Sequence, residues 1–461
     1  MTGEIPPSMA NHAGASFYEA LANSDPTQKA EMVLRLVEDH PQKQLHLPCC
    51  LGARASLDGI DLSRERLAQA HDDNSPHTWW NAERQAVDLR HCDLGEASLR
   101  GAQLQGVLFE EANMTDADLA GADLQAADMR GAILEGALLE GADLRKAVLR
   151  FVHGSRCIME DAKLQGADLW GAAMQDADLS DCDLQGATLE EANLQGADCA
   201  GVDFRGAVLK RTNFKGADLR RADLRGAVLG DTNFEDALLQ DARMEELDLT
   251  GCEIKHIHAS GARLEKTRLD QEQLGGAIGE ESSGDFGLAR KGYLALERNF
   301  DELGDHDAAR WAYGRRRRME KRDALKQAQL AIGERRWWAT ARGALKYMGD
   351  QVVEWVCDYG ESVWRVLATL LVIYVLFTAI YALTGTVLRI EDPPAGRVKA
   401  PTYDPVDLAL FSLTAMTAPG NPPDYLAPRN ELAYLLASAQ TILSIFLIGL
   451  MGFVAGNRIR R

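Results

Sequence analysis

The fold is decided by a stretch in the middle of the chain, residues 166–190, which reads GADLW GAAMQ DADLS DCDLQ GATLE. The same register runs unbroken from Leu89 to Leu269, and 34 of its 37 fifth positions hold Leu, Phe, Met or Ile. Two residues before each of them lies a small residue, which is alanine in 24 of the 37 cases. A period of five fits neither the 3.6-residue period of a helix nor the two-residue alternation of a strand. It predicts a coil that turns a corner every five residues, with apolar residues inside and polar residues at the corners.

This pattern strongly resembles the pentapeptide-repeat family, whose fold is a right-handed quadrilateral β-helix with four pentapeptides per coil. The resemblance implies about nine coils for the predicted domain 87–270, and a rod about 43 Å long at a strand spacing of roughly 4.8 Å. Some members of the family imitate duplex DNA in shape and charge and bind DNA gyrase. Residues 87–270 hold 35 acidic and 20 basic residues, so their net charge is negative, as in duplex DNA. However, the bases between Arg205 and Arg225 would interrupt the continuous acidic stripe that a DNA mimic needs.

Residues 1–86 are predicted to be an N-terminal cap that contains degenerate repeats at Leu57 and Leu62 and an insertion before Leu89. Such a cap is needed because each coil buries its apolar residues only against its neighbours. Inside the rod, Gly154 stands at a position where Leu is usual, between Phe151 and Cys157. We interpret it as a tolerated packing defect, with a binding bulge as the alternative.

Composition excludes several functional classes. The chain has 50 Lys and Arg against 69 Asp and Glu, a formal net charge of -19, which argues against a nucleic-acid-binding protein. The eight cysteines form no C-x-x-C pair, and residues 1–20 show no signal peptide, so we expect a reducing compartment and no disulfide framework. No nucleophile–base pair or phosphate loop stands out, and His256 and His258 form only a lone H-x-H. We therefore predict no enzyme activity, no cofactor and no metal.

A helical neck is predicted over residues 271–361. Tyr293, Leu296, Phe300 and Leu303 recur at helical spacing, Gly304 ends that helix, and a second helix follows. Residues 310–346 then hold twelve bases and three acids, just before an apolar run. Basic and Trp side chains at such a place favour lipid headgroups. The predicted membrane-surface contacts are Arg315, Arg316, Arg317, Arg318, Trp337 and Trp338.

Two membrane spans are predicted in the last domain, residues 362–461. The run 366–388 has 23 residues without a charge and the run 432–457 has 26, and each exceeds the roughly 20 residues that a spanning helix needs. Bases precede the first run and follow the second, so the positive-inside rule places both termini and the rod in the cytoplasm. The lipid bilayer of the cell (inner) membrane is the expected partner.

A short helix is predicted between the spans. Asp404 is a good N-cap and Pro405 a good first residue, while Pro419, Pro422 and Pro423 stop the helix after about three turns. An apolar helix too short to span suggests a re-entrant pore helix, whose C-terminal dipole end favours a cation. The candidate pore and filter residues are Thr414, Thr417, Ala418, Pro419, Gly420 and Asn421.

This arrangement resembles the two-helix pore of tetrameric potassium-type channels. The residues that carry the resemblance are Tyr359-Gly360-Glu361, Trp364-Arg365 and Phe411-Ser412-Leu413. The resemblance implies a homotetramer that conducts inorganic cations. Where that family has T-x-G-[YF]-G-D, this chain reads Thr417-Ala418-Pro419-Gly420-Asn421-Pro422-Pro423, and proline cannot adopt the backbone angles of the second glycine. Potassium selectivity is therefore not expected, and a wider pore or no conduction is left open.

The second span holds polar residues and glycines in helical proximity. They have two interpretations: a pore lining with a glycine hinge, or close helix packing with interhelical hydrogen bonds. The residues concerned are Gln440, Ser444, Gly449, Gly452 and Gly456. For the whole chain we predict a membrane channel whose rod acts as a sensor or docking module for an unknown protein. The alternative is a non-conducting membrane-anchored interaction scaffold, with DNA mimicry as one form of it.

Overall fold

A computed structural model describes residues 24–25, 28–33, 60, 80–81, 86–333, 337–357, 362–391, 398–417 and 423–460. The chain divides into two compact units, Met1–Met319 and Glu320–Arg461. Each unit is described by itself below.

The first unit contains a β-helix with twenty residues per coil. Parallel β-bridges join residues twenty positions apart along the rod, from Asp88↔Leu108 to Asp248↔Arg268. The large residue of each repeat and the small residue two places before it point inward and form one continuous buried core. Cys199 and Ala259, two of the three exceptions to the large-residue pattern, are buried as well. The predicted β-helix with Leu and Ala inside is confirmed.

The backbone geometry of the corners explains which residues occupy the polar positions of the repeat. From His91 to Lys266, every fifth residue except Gly251 has φ between 53° and 78°. Glycine adopts this left-handed conformation without cost, and Asp and Asn tolerate it better than most residues. The Asp or Asn before the large residue also stabilises the turn: Asp88 Oδ1 accepts a hydrogen bond of 3.2 Å from the backbone N–H of Arg90.

At the N-terminal end, Ile60 stacks on the first coil, although it precedes the predicted insertion in sequence. Gln103 N donates to Ile60 O at 2.7 Å, just as Leu108 N donates to Val87 O at 2.9 Å one repeat later. Ile60 is fully buried in the β-helix core. Ile60 itself therefore stacks on the rod, and the predicted degenerate repeats at Leu57 and Leu62 lie outside the described residues. Strands β1 (Trp80–Asn81) and β2 (Ala86–Val87) form a short antiparallel pair where the chain returns.

At the C-terminal end, helices cover the open core. A 3₁₀ turn, Gln271–Leu274, and a one-turn helix α1, Gly279–Ser282, precede α2, Phe286–Leu303, and α3, His306–Gly333. Gly304 ends α2 with φ of 77°, as predicted. The inner face of α2 packs in the same core as the β-helix through Ala289, Tyr293, Leu296 and Phe300. The first half of the predicted neck is thus the cap of the rod.

The second unit holds the apolar helices. They are α4 (Trp337–Cys357), α5 (Val363–Thr384), α6 (Pro405–Thr417) and α7 (Glu431–Arg460). Two of them, α5 and the first 26 residues of α7, are long and apolar enough to cross a membrane. Gly385, with φ of 56°, ends α5 three residues before the end of the predicted apolar run.

The connections between the long helices contain a small sheet that the sequence analysis did not predict. Strands β3 (Val387–Glu391), β4 (Val398–Pro401) and β5 (Leu426–Pro428) pair antiparallel in the order β4-β3-β5. Leu388 lies opposite Pro401 on one side and Ala427 on the other. The sheet therefore ties both ends of the α5–α7 connection together.

Candidate functional site

The start of the short helix α6 is anchored by carboxylates. Asp404 Oδ1 accepts a 2.9 Å hydrogen bond from Val406 N, so Asp404 caps α6 as predicted. Asp407 is buried, and its Oδ2 accepts from Thr402 Oγ1 at 2.9 Å and from Arg389 Nη1 at 3.2 Å. Since Arg389 lies on β3, this pair fixes the helix start to the sheet.

Gln440 connects α7 to both α5 and α6. Its Oε1 accepts from the hydroxyl of Tyr381 on α5 at 2.9 Å, and its Nε2 donates to Ser412 Oγ on α6 at 2.8 Å. Ser412 Oγ in turn donates to Tyr374 O at 3.3 Å. Nearby, Thr441 Oγ1 donates to Ala415 O at 2.7 Å. In an apolar environment a polar group needs such partners, so these bonds hold α6 between α5 and α7.

Two of the candidate pore-lining residues make hydrogen bonds within this unit. Gln440 and Ser444 are fully buried inside the second unit, and Ser444 Oγ donates to Gln440 O at 2.7 Å. They make the interhelical and local hydrogen bonds of the alternative interpretation, because their side of α7 faces α5 and α6. A side chain that lines a channel between subunits would instead be open in a single chain.

The other pore candidates lie on open surface or outside the described residues. A Cβ on Gly449, Gly452 or Gly456 would meet no atom within 4 Å, so no described part of this chain packs there. The hydroxyls of Thr414 and Thr417 donate to carbonyls of their own helix, at 2.9 Å to Phe411 O and Leu413 O. The predicted filter residues Ala418, Pro419, Gly420 and Asn421 lie outside the described residues.

The two long helices expose most of their apolar surface. Only 17% of the most apolar 18-residue window of each helix is buried. The exposed side chains include Leu371, Val372, Val375 and Leu376 on α5, and Leu435, Ile442, Ile445 and Phe446 on α7. A helix in the core of a water-soluble protein would bury such residues.

Two of the predicted headgroup contacts are used inside the first unit instead. Arg315 Nη1 lies 3.1 Å from Glu281 Oε1, and Arg316 Nε lies 2.6 Å from Glu297 Oε2. The reason is that α3 packs beside α2, which places these guanidinium groups next to carboxylates of the rod cap. Arg317 and Arg318 follow on the same helix, and the side chains of Trp337 and Trp338 lie outside the described part of the chain.

The surface of the β-helix carries an aromatic patch at residues 150, 151 and 170. Phe151 is 51% exposed, and its ring contacts Trp170 edge to face with 4.6 Å between centroids. The guanidinium of Arg150 lies 5.9 Å from the Trp170 ring and pairs with Asp168 at 2.6 Å. Phe151 has φ of 56°, which is costly for a bulky side chain. Trp, Tyr and Arg are the side chains that most often dominate the binding energy of protein interfaces.

Elsewhere the rod's charges are paired along its corners. Arg145, Arg205, Arg220 and Arg225 each donate to the aspartate two residues before them, as in the 2.6 Å contact of Arg225 with Asp223. The hydrogen bond from Arg145 holds the pKa of Asp143 below its usual range. Among the described residues, no three His, Cys, Asp or Glu side chains come together as metal ligands.

Comparison with known proteins identifies the rod. The family model described as pentapeptide repeats matches residues 85–271 in overlapping segments. None of the curated proteins matches the chain. Among solved structures, HetL, a pentapeptide repeat protein involved in heterocyst differentiation regulation from the cyanobacterium Nostoc sp. strain PCC 7120, is 26% identical. The match covers 47% of this chain and 90% of HetL, with a TM-score of 0.34.

Two further solved structures are similar to a part of the chain. Full-length QnrB1, a plasmid-mediated fluoroquinolone resistance protein, is 17% identical over 39% of this chain and 93% of its own, with a TM-score of 0.24. A pentapeptide repeat protein from the Arabidopsis thaliana thylakoid lumen is 24% identical over 30% of this chain and 73% of its own, with a TM-score of 0.12. The β-bridges between residues 88 and 268 and the family match to residues 85–271 agree, and this segment of the chain is a pentapeptide-repeat β-helix.

Proposed function

We propose that this protein is an oligomeric membrane pore that carries a cytoplasmic pentapeptide-repeat docking domain. The observation that carries the proposal is the position of α6. Its 13 residues are too few to cross a bilayer, which takes about 20, yet it lies between two long apolar helices. Gln440 and Thr441 bond it to α7, and Ser412 bonds it to α5. Such a helix at membrane depth is expected where its end lines a cavity.

The membrane location is supported by the exposure of α5 and α7. A helix in the core of a soluble protein would be mostly buried. In α5 and α7, only 17% of the most apolar 18-residue window is buried. A signal sequence would lie near the N-terminus, whereas these helices occupy residues 363–384 and 431–456. The bases before α5 and after α7 orient both termini to the cytoplasm by the positive-inside rule.

An ion pathway requires several copies, because two long helices cannot enclose one. The face of α7 with Gly449, Gly452 and Gly456 is open in the single chain and can approach a second copy closely. The C-terminal end of α6 at Thr417 has a partial negative charge, which favours a cation over an anion. A homotetramer that passes cations without strict potassium selectivity is the form of this proposal that follows from the channel resemblance. The proposal assigns the chain no catalytic role.

The β-helix is proposed to bind a protein through the Phe151–Trp170 patch. The paired Asp–Arg corners break the continuous negative charge that an imitation of DNA would require. We therefore favour a protein that buries the exposed ring of Phe151. The substitution Phe151→Asn should remove this ring and keep the corner, since Asn tolerates a positive φ.

A second function, a non-conducting membrane scaffold, is favoured by one observation. Two polar residues of the second span could have lined an ion pathway, but they make hydrogen bonds inside the subunit. These residues are Gln440 and Ser444. Such a scaffold would use the same α5–α7 unit only as an anchor for the rod.

The two functions are separated by stoichiometry and flux. The full chain is reconstituted in lipid nanodiscs for native mass measurement, and in liposomes for potassium, sodium and chloride flux. We expect four copies per particle and cation flux that falls in the variant Thr417→Val. The control Thr369→Val, which removes a half-buried hydroxyl of α5 that likewise donates to a carbonyl of its own helix, should leave the flux unchanged. Monomeric or dimeric particles and silent liposomes would reject the pore and leave the scaffold.

A further inference from the structure

Helix α4, just before the first span, has an apolar stripe on one side. Leu345, Met348, Val352 and Trp355 follow one another at spacings of three, four and three residues, which places them on one face of a helix. Their exposed fractions are 66%, 54%, 59% and 73%. Four large apolar side chains in a row that are all more than half exposed need a partner or an apolar solvent.

The opposite side of α4 is covered by α3. A Cβ on Gly343 would lie 2.8 Å from the Cβ of Ala328, so the two helices approach closely there. Lys346 Nζ lies 2.8 Å from Glu320 Oε1, and Lys321 pairs with Glu354. The polar side of α4 is therefore satisfied within the unit, and the apolar stripe faces away from α3.

The C-terminal end of α4 is fixed beside the ends of both long helices. Cys357 is buried in one cluster with Val366 of α5 and Val454 of α7. The chain then reaches Ser362, whose hydroxyl caps α5 by accepting from Arg365 N at 3.2 Å. Trp364, in the first turn of α5, is 76% exposed. The stripe therefore ends at the level where α5 would enter a bilayer.

We propose that α4 lies in the surface of the bilayer, with Leu345, Met348, Val352 and Trp355 inserted at the boundary between headgroups and acyl chains. The inference rests on the membrane location proposed for α5 and α7. An apolar stripe opposite a charged face is the pattern of interfacial helices, and Trp prefers that depth. The occupant is lipid because the stripe is continuous with the lipid-facing sides of α5 at Trp364.

The test uses nitroxide labels on the full chain in nanodiscs of phosphatidylcholine and phosphatidylglycerol. Cys49→Ser and Cys50→Ser provide the background, and single labels are placed with Leu345→Cys, Val352→Cys, Lys346→Cys and Leu371→Cys. Collision with oxygen reports an apolar environment, and collision with a nickel chelate reports water. Lys346 is the matched control on the same helix, and Leu371 is the control for the span.

We expect the labels at 345, 352 and 371 to collide more with oxygen than with nickel, and the label at 346 to show the reverse. Nickel access at 345 and 352, with oxygen access at 371, would overturn this inference alone. Absence of both collisions at 345 and 352 would show a protein partner and would also overturn it. Nickel access at 371 would overturn the proposed membrane location itself.

Discussion

The side-chain amide of Asn299 forms hydrogen bonds with the backbone of Thr267, in the last coil, where a further coil would otherwise pair. Its Nδ2 donates to Thr267 O at 2.7 Å, and its Oδ1 accepts from Thr267 N at 2.9 Å. Within the rod, the equivalent carbonyl accepts from the residue 21 positions later, as Leu247 O does from Arg268 N. Beyond the last coil no strand supplies that donor, and Asn299 on α2 supplies it instead.

Replacing this amide should loosen the cap. Asn299→Leu leaves the buried carbonyl of Thr267 without its donor, at a cost of about 1–3 kcal/mol. We expect faster hydrogen exchange in residues 244–269, measured on the full chain by mass spectrometry. Glu302→Gln, an exposed change on the same helix, serves as the control. Equal exchange in the two variants would show that the amide has no such role.

The hydrogen bonds of Gln440 should stabilise the apolar unit. Gln440→Leu removes the partner of both Tyr381 and Ser412, and hydrogen bonds between membrane helices contribute about 0.6–2 kcal/mol each. The thermal midpoint in detergent, followed by size-exclusion chromatography after heating, should fall by several degrees. Ser438→Ala, at an exposed position of α7, should leave it unchanged. A midpoint equal to that of the wild type would reject the network as a stabilising element.

The contact of Arg389 with Asp407 should position α6. Arg389→Met removes the guanidinium that lies 3.2 Å from the buried carboxylate of Asp407 and leaves the 2.9 Å hydrogen bond from Thr402. Loss of the charged partner of a buried group costs more than loss of an exposed pair. We expect a lower thermal midpoint and a lower flux through the proposed pore, whereas Lys399→Met on β4 should change neither. Full stability of Arg389→Met would contradict the anchoring of α6 by the sheet.

The Asp–Arg pairs at the corners should make the stability of the rod depend on pH in the acidic range. The hydrogen bond from Arg145 lowers the pKa of Asp143 in the folded rod, so its stabilising effect is present above the unfolded pKa of about 3.9. That effect is lost as the pH falls through the lower, folded pKa. We therefore expect Arg145→Gln to be less stable than the wild type at pH 5–7, and the difference to close in stronger acid. A difference of constant size down to pH 2, measured by thermal unfolding, would contradict this; Lys210→Gln is the control.

The cysteines inside the rod should be chemically silent. Burial raises the pKa of Cys157 to about 12 and that of Cys252 to about 11, so neither forms a thiolate near pH 8. A disulfide reagent that reports free thiols should leave both unmodified in the native protein and modify them in denaturant, as read by peptide mass spectrometry. Rapid native modification of Cys157 would mean that the coil opens there.

The parts predicted well from the sequence are those in which one local rule repeats. The positions of Leu169 and Ala167 follow from the period of five alone, because every coil presents the same environment. Asp404 and Pro405 predicted the start of α6 for a similar reason, since helix capping depends on neighbours in sequence.

The parts that were not predicted depend on contacts between distant residues. Asn299 is one polar residue on an amphipathic helix, and its role requires Thr267, 32 positions earlier. The rotation of α7 that turns Gln440 toward Tyr381 and Ser412 follows from packing against two other helices, which a helical period cannot reveal. In the same way, the ion pairs of Arg315 with Glu281 and of Arg316 with Glu297 join residues that are far apart in sequence. The strands β3 to β5 have three to five residues each, too few for a periodic signal.

The twenty-residue bond pattern of the β-helix has a consequence for how its length can change. Deleting one full coil between Trp170 and Thr267 would bring the aromatic patch about 4.8 Å nearer to the cap and leave it pointing in the same direction. Deleting a single pentapeptide would preserve the buried core equally well, yet it would turn the patch by a quarter of a revolution about the rod axis. The number of residues in the rod thus sets the direction in which the patch points as well as its distance from the cap. Insertions of five residues would redirect a partner bound at the proposed patch without altering any residue of the patch.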